Sequence, residues 1–179
     1  MKEIKLLFKI DKEKAEEIRQ KLKEFFTERV IEIDTYFYPP HKDFLVSEEG
    51  RENLRVRKSK NKNELTYKRV IYNKGQYSHS IEKSVEISDP EKIIEILKLL
   101  GFRIHFIVSK KRETFKEKKF KITIDDVKNL GIFVEIEWIG PKKSNKEIKK
   151  ECIKKASELG LEKIQDKGYL RLLEEKLKI

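Results

Sequence analysis

The sequence has one cysteine, three histidines and no long apolar segment among its 179 residues. A lone Cys152 excludes an intrachain disulfide and any cysteine-based zinc site, and His41, His79 and His105 lack metal-ligand spacing. No apolar run approaches the roughly 18 residues of a transmembrane helix, and lysines interrupt the N-terminal segment where a secretory signal would be apolar. We therefore expect a soluble, cytoplasmic protein that has no membrane partner and binds any metal through carboxylates.

The chain is rich in charge instead. Lys and Arg total 43 against 32 Asp and Glu, which gives a formal net charge of +11. Hydrophobic residues make up 37% of the chain, and they recur with regular spacing, which argues against disorder. The length suits one domain, so we predict a single folded domain over residues 1–179.

Hydrophobic periodicity predicts an α+β fold with a mainly antiparallel sheet. Helices are marked by caps: Asp11 before the first, Asp89-Pro90 before the second and the capping box of Ser144 and Glu147 before the third. The predicted helices cover residues 11–28, 90–101, 144–160 and 169–178, with a loop at 41–52 and a turn at 73–75. The predicted strands cover residues 3–10, 30–38, 53–58, 63–72, 77–87, 102–116, 119–125 and 131–139.

Period-two alternation divides nearly every strand into an apolar face and a charged face. The apolar face is predicted to be core and contains Ile4, Leu6, Phe8, Ile31, Ile33, Leu54, Val56, Leu65, Tyr67, Val85, Ile87, Ile122, Ile124, Val134, Ile136 and Trp138. The opposite face carries Glu3, Lys5, Glu32, Asp34, Arg55, Arg57, Glu64, Lys68, Glu82, Glu86, Lys110, Arg112, Lys121, Asp125, Glu135 and Glu137.

A solvated sheet face is the ordinary explanation of such alternation. The signs are segregated by strand, however: Arg55 with Arg57, and Glu135 with Glu137, place like charges about 7 Å apart without compensation within the strand. A curled sheet with this face inward would form a channel with basic and acidic walls. Such a channel suits a polyphosphate accompanied by divalent cations, because arginine grips phosphate oxygens and carboxylates bind Mg²⁺ or Mn²⁺.

Short motifs are spread over essentially the whole chain. They are Asp34-Thr35-Tyr36-Phe37, Lys42-Asp43-Phe44-Leu45, Leu54-Arg55-Val56-Arg57, Leu65-Thr66-Tyr67-Lys68, residues 82–89, Leu100-Gly101-Phe102, Lys110-Lys111-Arg112, Asp125-Asp126-Val127, residues 130–137 and Gly168-Tyr169-Leu170. Together and in this order they resemble the motifs of the CYTH, or triphosphate tunnel metalloenzyme, superfamily, which includes class IV adenylyl cyclases, thiamine triphosphatases and inorganic triphosphatases. The resemblance implies an eight-stranded antiparallel closed β-barrel with flanking helices, whose lumen binds triphosphate.

The first strand departs from the E-x-E-x-K signature of the superfamily. One alignment places Glu3, Lys5 and Leu7 at its three positions, and a shift of two residues places Met1, Glu3 and Lys5 there. Both alignments keep Glu3 and Lys5 on the charged face, and both lose one acid.

The resemblance implies roles for individual residues. Lys5, Arg55, Arg57, Lys68, Lys110 and Arg112 are expected to bind the phosphates. Glu3, Glu82, Glu86, Asp125, Glu135 and Glu137 are expected to bind Mg²⁺ or Mn²⁺. Lys5, Lys68 and Glu135 are the expected catalytic residues.

Three functions stay open at this point. The loop motif Lys42-Asp43-Phe44-Leu45 favours conversion of ATP to cyclic AMP and pyrophosphate, and an inorganic or thiamine triphosphatase is the alternative. The altered first strand also allows a noncatalytic triphosphate-binding protein. The lysine runs at 58–62, 116–121 and 141–150 suit nucleic acid as an alternative partner. A homodimer is left open.

Overall fold

The computed structural model describes residues 2–44, 51–73 and 76–177, with side chains described for 4–44, 51–72 and 78–177. The side chain of Glu3, residue Leu45 and the predicted turn at Lys74-Gly75 lie outside the described parts. The chain divides into two compact units: unit 1 comprises Met1–Glu3 and Ile31–Ser109, and unit 2 comprises Ile4–Val30 and Lys110–Ile179.

Unit 1 contains an antiparallel sheet with the strand order β1-β6-β5-β4-β3 and one helix. Asp89 caps the helix by accepting a hydrogen bond from the Lys92 backbone N–H. Leu97 of that helix packs against Phe37 and Val56 on the sheet. The elements are β1 (Lys2–Glu3), the later part of β3 (Phe26–Tyr38), β4 (Arg51–Ser59), β5 (Glu64–Asn73), β6 (Gln76–Glu86), α2 (Pro90–Leu99) and the start of β7 (Arg103–Glu117).

Unit 2 contains an antiparallel sheet with the strand order β7-β8-β9-β2 and three helices. Two of these helices bury Ala15, Ile18, Cys152 and Ala156 against the apolar face of the sheet. Ser144 and Glu147 form the predicted capping box at the start of the third helix of the chain. The elements are β2 (Lys5–Ile10), α1 (Lys12–Leu22), the later part of β7, β8 (Phe120–Val127), β9 (Gly131–Trp138), α3 (Asn145–Glu158) and α4 (Tyr169–Leu177).

The first predicted strand is divided at Ile4. Lys2 and Glu3 pair with β6 in unit 1, whereas Lys5–Ile10 pairs with β9 in unit 2. Glu3 lies opposite Ser80 and Lys5 lies opposite Glu137. The start of the chain therefore contributes an edge strand to each sheet.

The predicted α+β class and antiparallel pairing are confirmed, but the predicted closed barrel is not what either unit forms by itself. In each unit the strand order is linear and does not return to its first strand. Among the helices of the described residues, none combines the length and the apolar character needed to cross a membrane.

Several element boundaries differ from the predictions, most of them by one or two residues. The first helix ends at Leu22, and after a single 3₁₀ turn at Lys23–Phe25 the next strand begins at Phe26. The apolar spacing of the helix continues directly into the apolar alternation of the strand, so the sequence pattern gave no sign of where the helix ends. The strand β4 begins at Arg51, inside the predicted loop.

Part of the predicted core is wrong. Ile31, Ile33 and Val85 lie on the apolar face of the unit 1 sheet, yet they are 59%, 38% and 57% exposed. Alternation assigned the face correctly, but within the described residues of unit 1 the helix on this face, α2, packs on Phe37 of β3 and Val56 of β4 and leaves these side chains uncovered. Burial requires a covering element, and period-two alternation does not report one.

Candidate functional site

The charged face of unit 1 is built by cross-strand register. Residues directly opposite each other in an antiparallel sheet point to the same face. Asp34 of β3 lies opposite Arg57 of β4, and Lys68 of β5 lies opposite Glu82 of β6. Like charges along one strand therefore meet opposite charges on the next strand.

Arg57 is the most completely bound cation of this face. Its Nε and Nη2 atoms donate to the two carboxylate oxygens of Asp34 over 2.7 and 2.8 Å, and its Nη1 donates to Glu32 over 3.1 Å. Asp34 is 1% exposed and Glu32 is 7% exposed. This bidentate geometry fixes the plane of the guanidinium group.

Arg55 is bound less directly. Its Nη1 lies 3.5 Å from Asp34, and the Tyr36 hydroxyl is a further hydrogen-bond partner. Burial lowers the pKa of Arg55, but the Asp34 carboxylate, Tyr36 and Glu82 together outweigh burial, and the net pKa is raised. Burial and the same carboxylate raise the pKa of Tyr36. Arg55 therefore stays cationic and Tyr36 stays a neutral hydroxyl.

The remaining predicted residues of unit 1 divide into two groups. The Nζ of Lys68 lies 3.3 Å from Glu82, beside the hydrogen-bonded hydroxyl pair of Thr66 and Ser84 at 2.9 Å. Glu86 is exposed opposite Glu64 at the end of its strand and takes no part in these contacts. The structure thus brings Glu82, but not Glu86, to the cations of this face.

The charged face of unit 2 is centred on Asp125, which is fully buried. Arg112 donates to its two oxygens over 2.7 and 2.6 Å, and the hydroxyl of Tyr169 donates to Oδ2 over 2.8 Å. Burial, together with the carboxylates of Asp125 and Glu135, raises the pKa of Tyr169 well above its usual value. Tyr169 consequently remains a hydrogen-bond donor at neutral and moderately alkaline pH.

Tyr169 is a site residue that sequence reasoning missed. It begins α4, and its ring centroid lies 5.4 Å from the Nζ of the buried Lys110. Tyr169 therefore contacts β7, which carries Lys110 and Arg112, and β8, which carries Asp125. The motif Gly168-Tyr169-Leu170 was the only available signal, and it gave no role to the hydroxyl.

The other contacts of this face join β2, β8 and β9. The Nζ of Lys5 lies 3.1 Å from Glu135, and Lys121 lies 3.2 Å from Glu137. Thr123 lies directly opposite Glu135. Its hydroxyl is buried without a hydrogen-bond partner in the described part of the chain.

These contacts correct one step of the sequence argument. The like charges on each strand were expected to be uncompensated without a guest. Instead, each pairs across strands, as Arg57 does with Asp34 and Lys5 does with Glu135. The charged faces are thus stable without a ligand, so segregation of sign along a strand is not by itself evidence for one.

The carboxylates were also tested as a metal site. Within residues 4–44, 51–72 and 78–177, no three Asp, Glu, His or Cys side chains cluster as a metal would require. Glu135 and Glu137 nevertheless project from the same face of β9, beside the unpartnered Thr123 hydroxyl. Mg²⁺ is commonly held by one or two carboxylates and completed by substrate phosphates, so these oxygens fit a cation that arrives with a triphosphate.

Cys152 has a structural role. It is fully buried among the residues of α1, α3 and the sheet. Burial first, and then the charges of Glu151 and Glu137, raise the pKa of its thiol to about 11. The thiol therefore stays protonated at neutral pH and is not a nucleophile.

Comparison with known proteins finds relatives that match most of the chain. A Methanocaldococcus jannaschii protein, whose name proposes an adenylate cyclase, is 35% identical over 138 residues, or 76% of this chain and 77% of the relative. The solved structure of a Pyrococcus horikoshii protein matches with a TM-score of 0.78 and 32% identity, covering 97% of this chain and 99% of that one.

A third similarity concerns the fold alone. A Hippeastrum protein, whose title reports a dominant triphosphatase activity, matches with a TM-score of 0.67 and 17% identity over 99% of this chain and 95% of that chain. The family model for the CYTH domain matches residues 1–169, which include residues of both units. The resemblance drawn from the motifs is thereby confirmed, and the chain belongs to the CYTH family.

Proposed function

We propose that the charged faces of units 1 and 2 bind a nucleoside triphosphate with a divalent cation, and that the chain converts ATP to cyclic AMP and pyrophosphate. The proposal takes residues 1–179 as one domain. The observation that carries it is the pair of guanidinium groups braced by buried carboxylates, Arg57 by Asp34 and Arg112 by Asp125. A guanidinium fixed in this way keeps its remaining N–H groups in one fixed plane, which suits phosphate oxygens.

The ion pairs of the two faces support the proposal through the charge balance of binding. Lys5 pairs with Glu135, and Lys68 pairs with Glu82. When a triphosphate binds with its cation, the phosphate groups can replace the carboxylates as partners of the two lysines, and the cation can replace the lysines as the partner of the carboxylates. The partners can therefore exchange without leaving a charge unpaired, which is the costly outcome in a partly buried site. Phosphates are assigned to Lys5, Arg55, Arg57, Lys68, Lys110 and Arg112.

The metal assignment is also a proposal. Glu135 and Glu137, with Thr123 beside them, are the ligands that the geometry favours for Mg²⁺ or Mn²⁺. A bound cation supplies neutralisation of phosphate charge and a lower pKa for the attacking hydroxyl. Asp125 has both oxygens engaged by Arg112 and Tyr169, so it would have to give up a donor to become a ligand. Glu3 and Glu82 are also proposed as metal ligands, whereas Glu86, which was expected to be one, is exposed at the end of its strand and is left out.

The reaction requires positioning more than covalent chemistry. In a cyclase, the ribose 3′-hydroxyl attacks the α-phosphorus of ATP and pyrophosphate leaves. Fixed cations stabilise the charge that develops on the phosphate oxygens. Lys5, Lys68 and Glu135 are the proposed catalytic residues because they lie at the ion pairs that must open when substrate enters.

Hydrolysis of a triphosphate is the second candidate. In this reaction water attacks the terminal phosphorus, and the same cations hold the phosphates. It is favoured by the dominant triphosphatase activity of the Hippeastrum protein of the same fold, whereas the cyclase is favoured by the name of the Methanocaldococcus jannaschii relative. The two reactions differ in which phosphorus is attacked, so their products distinguish them.

Phosphorus NMR tests both candidates in one experiment. The purified chain is incubated separately with ATP, thiamine triphosphate and inorganic triphosphate, each with Mg²⁺ and with Mn²⁺. We expect pyrophosphate and cyclic AMP from ATP. Orthophosphate with a diphosphate would establish the triphosphatase instead, and broadened triphosphate resonances without turnover would indicate a binding protein.

Substitutions on neighbouring positions test the residue assignments. Arg57→Ala should weaken triphosphate binding at least 100-fold by calorimetry. Lys58→Ala, on the opposite face of the same strand, is the matched control because its partner is the exposed Glu91. Glu135→Gln should abolish metal-dependent turnover while sparing metal-free binding, and Asp126→Asn is its exposed control. Full activity in Glu135→Gln would overturn the metal assignment.

A double-mutant cycle asks whether the two faces bind one ligand. If Arg57 and Arg112 contact the same triphosphate, the losses in Arg57→Ala and Arg112→Ala will not add, since residues that share a ligand are coupled. Additive losses in the double variant would place the ligand on one face alone.

A further inference from the structure

The charges of α3 are unevenly paired. All three of its glutamates are engaged: Glu147 closes the capping box, Glu151 accepts from Lys143 over 2.6 Å, and Glu158 lies 3.5 Å from Lys155. Lys155 is itself buried, 2.5 Å from Glu117. The three glutamates and Lys155 of this helix therefore already form hydrogen bonds or ion pairs within the chain.

The other four lysines of α3 differ in their contacts. Lys146, Lys149, Lys150 and Lys154 form no hydrogen bond or ion pair with any described residue. Lys146, Lys150 and Lys154 are exposed and recur every four residues, so they lie along one side of the helix. This stripe spans about 12 Å at the rise of an α-helix.

Further lysines adjoin the stripe. The ion pair of Lys155 and Glu117 joins α3 to the turn between β7 and β8, where Lys116 and Lys118 are exposed. The half-exposed ring of Trp138 has the Nζ of Lys119 at 5.9 Å and that of Lys143 at 5.1 Å from its centroid. We call this surface the basic face, and it comprises Lys116, Lys118, Lys119, Lys142, Lys143, Lys146, Lys149, Lys150 and Lys154.

The helix α1 of the same unit shows the opposite arrangement. Lys14 and Lys21 both bind Glu17, and Arg19 binds Glu16 and the buried Glu113. Sequence counts agree: unit 2 has 28 basic and 19 acidic residues, whereas unit 1 has 15 and 13. The excess charge of the chain is thus concentrated in unit 2, and within it on the basic face.

We infer that the basic face binds the phosphodiester backbone of a nucleic acid, independently of sequence. Lysines are compact point charges that attract phosphates without fixing a planar geometry, which suits binding without sequence readout. A stripe of this length extends over several phosphates, so it matches a polyanion better than a single nucleotide. Ile153 is the one large apolar residue exposed on α3, which leaves no apolar face to enter a membrane.

Salt dependence of binding tests this inference. Fluorescence anisotropy is measured with a labelled single-stranded 20-nucleotide RNA, and with the DNA of the same sequence, between 0.05 and 0.5 M salt. The triple variant Lys146→Gln, Lys150→Gln, Lys154→Gln should lower the slope of log affinity against log salt by about 2, since each single-strand phosphate contact contributes about 0.7. The loss of affinity at 0.1 M salt is then about 100-fold.

A matched control separates the basic face from net charge. The triple variant Lys12→Gln, Lys21→Gln, Lys23→Gln removes the same charge from exposed positions at α1. It should lose less than 3-fold. Equal losses in the two triple variants, or no binding by the unaltered chain, would overturn the inference. Displacement by a polyglutamate peptide as effective as by RNA would overturn the nucleic-acid assignment, and displacement by inorganic triphosphate would move the contact to the triphosphate site.

Discussion

Unit 2 covers the apolar face of its sheet with α1 and α3, whereas unit 1 covers the equivalent face with α2 alone. Ile122 and Ile136 of unit 2 are fully buried, but Ile31 and Val85 of unit 1 are more than half exposed. The charged faces differ in the same direction. Asp125 is held by Arg112 and by a tyrosine from a helix, whereas Asp34 accepts hydrogen bonds from Arg57 of the neighbouring strand. Identical strand patterns thus give different degrees of burial, because helices outside the pattern decide it.

The largest expected effect comes from removing the buried carboxylate of unit 2. Asp125→Ala removes the bidentate partner of the buried Arg112, and removing one partner of a buried ion pair costs about 3–5 kcal/mol. Asp34→Ala should cost less, about 1.5–3 kcal/mol, because Arg57 keeps its hydrogen bond to Glu32.

The buried thiol provides the measurement for unit 2. Cys152 is inaccessible and protonated in the folded chain, so a thiol reagent reports opening of the unit. Asp125→Ala should accelerate labelling at least about 100-fold at fixed pH, since 1.4 kcal/mol is a factor of ten. Asp126→Ala, at an exposed neighbouring position, should leave the rate nearly unchanged. Amide hydrogen exchange of β4 reports the effect of Asp34→Ala in unit 1.

Replacing one buried and one exposed isoleucine tests the difference between the two apolar faces. Ile122→Ala should destabilise unit 2 by about 2–5 kcal/mol because it creates a cavity beneath α1 and α3. Ile31→Ala, also on a strand, should cost no more than about 1 kcal/mol, since it loses strand propensity but little burial. Urea titrations followed by amide exchange measure both changes. Equal costs would mean that another element covers Ile31 in solution.

The sequence could predict which face of a strand a residue lies on, but not which residue it pairs with on the next strand. Period-two alternation is a property of the backbone, so the faces of Arg57, Lys68, Arg112 and Glu135 could be assigned without a structure. Which residues pair across strands depends on register, which turns and bulges set. An irregularity between Ile71 and Tyr72 in the pairing of β5 with β6 leaves no trace in the alternation.

Tertiary docking accounts for the rest of what was missed. The apolar pattern of α4 predicts a helix, but its position at Asp125 depends on packing far along the chain. Tyr169 gained a role only through that docking. The burial of Glu32 and the exposure of Ile31 have the same origin, since both depend on what lies against the sheet.

The smallest expected effect tests the docking of α4 directly. Tyr169→Phe removes the hydrogen bond to Asp125 and should cost about 1–2 kcal/mol at pH 8. The raised pKa of Tyr169 makes this difference depend on pH. In the unfolded chain the hydroxyl ionises near pH 10, whereas in the folded chain it stays neutral, so its contribution is complete below pH 10 and declines above it. Urea titrations of both proteins at pH 8 and at pH 10.5–11 should therefore give a smaller difference at the higher pH. The other tyrosines titrate alike in both proteins and cancel. A difference that does not change with pH would mean that the hydroxyl is not held against Asp125, and the contrast with unit 1, where the strand residue Arg57 holds Asp34, would then be lost.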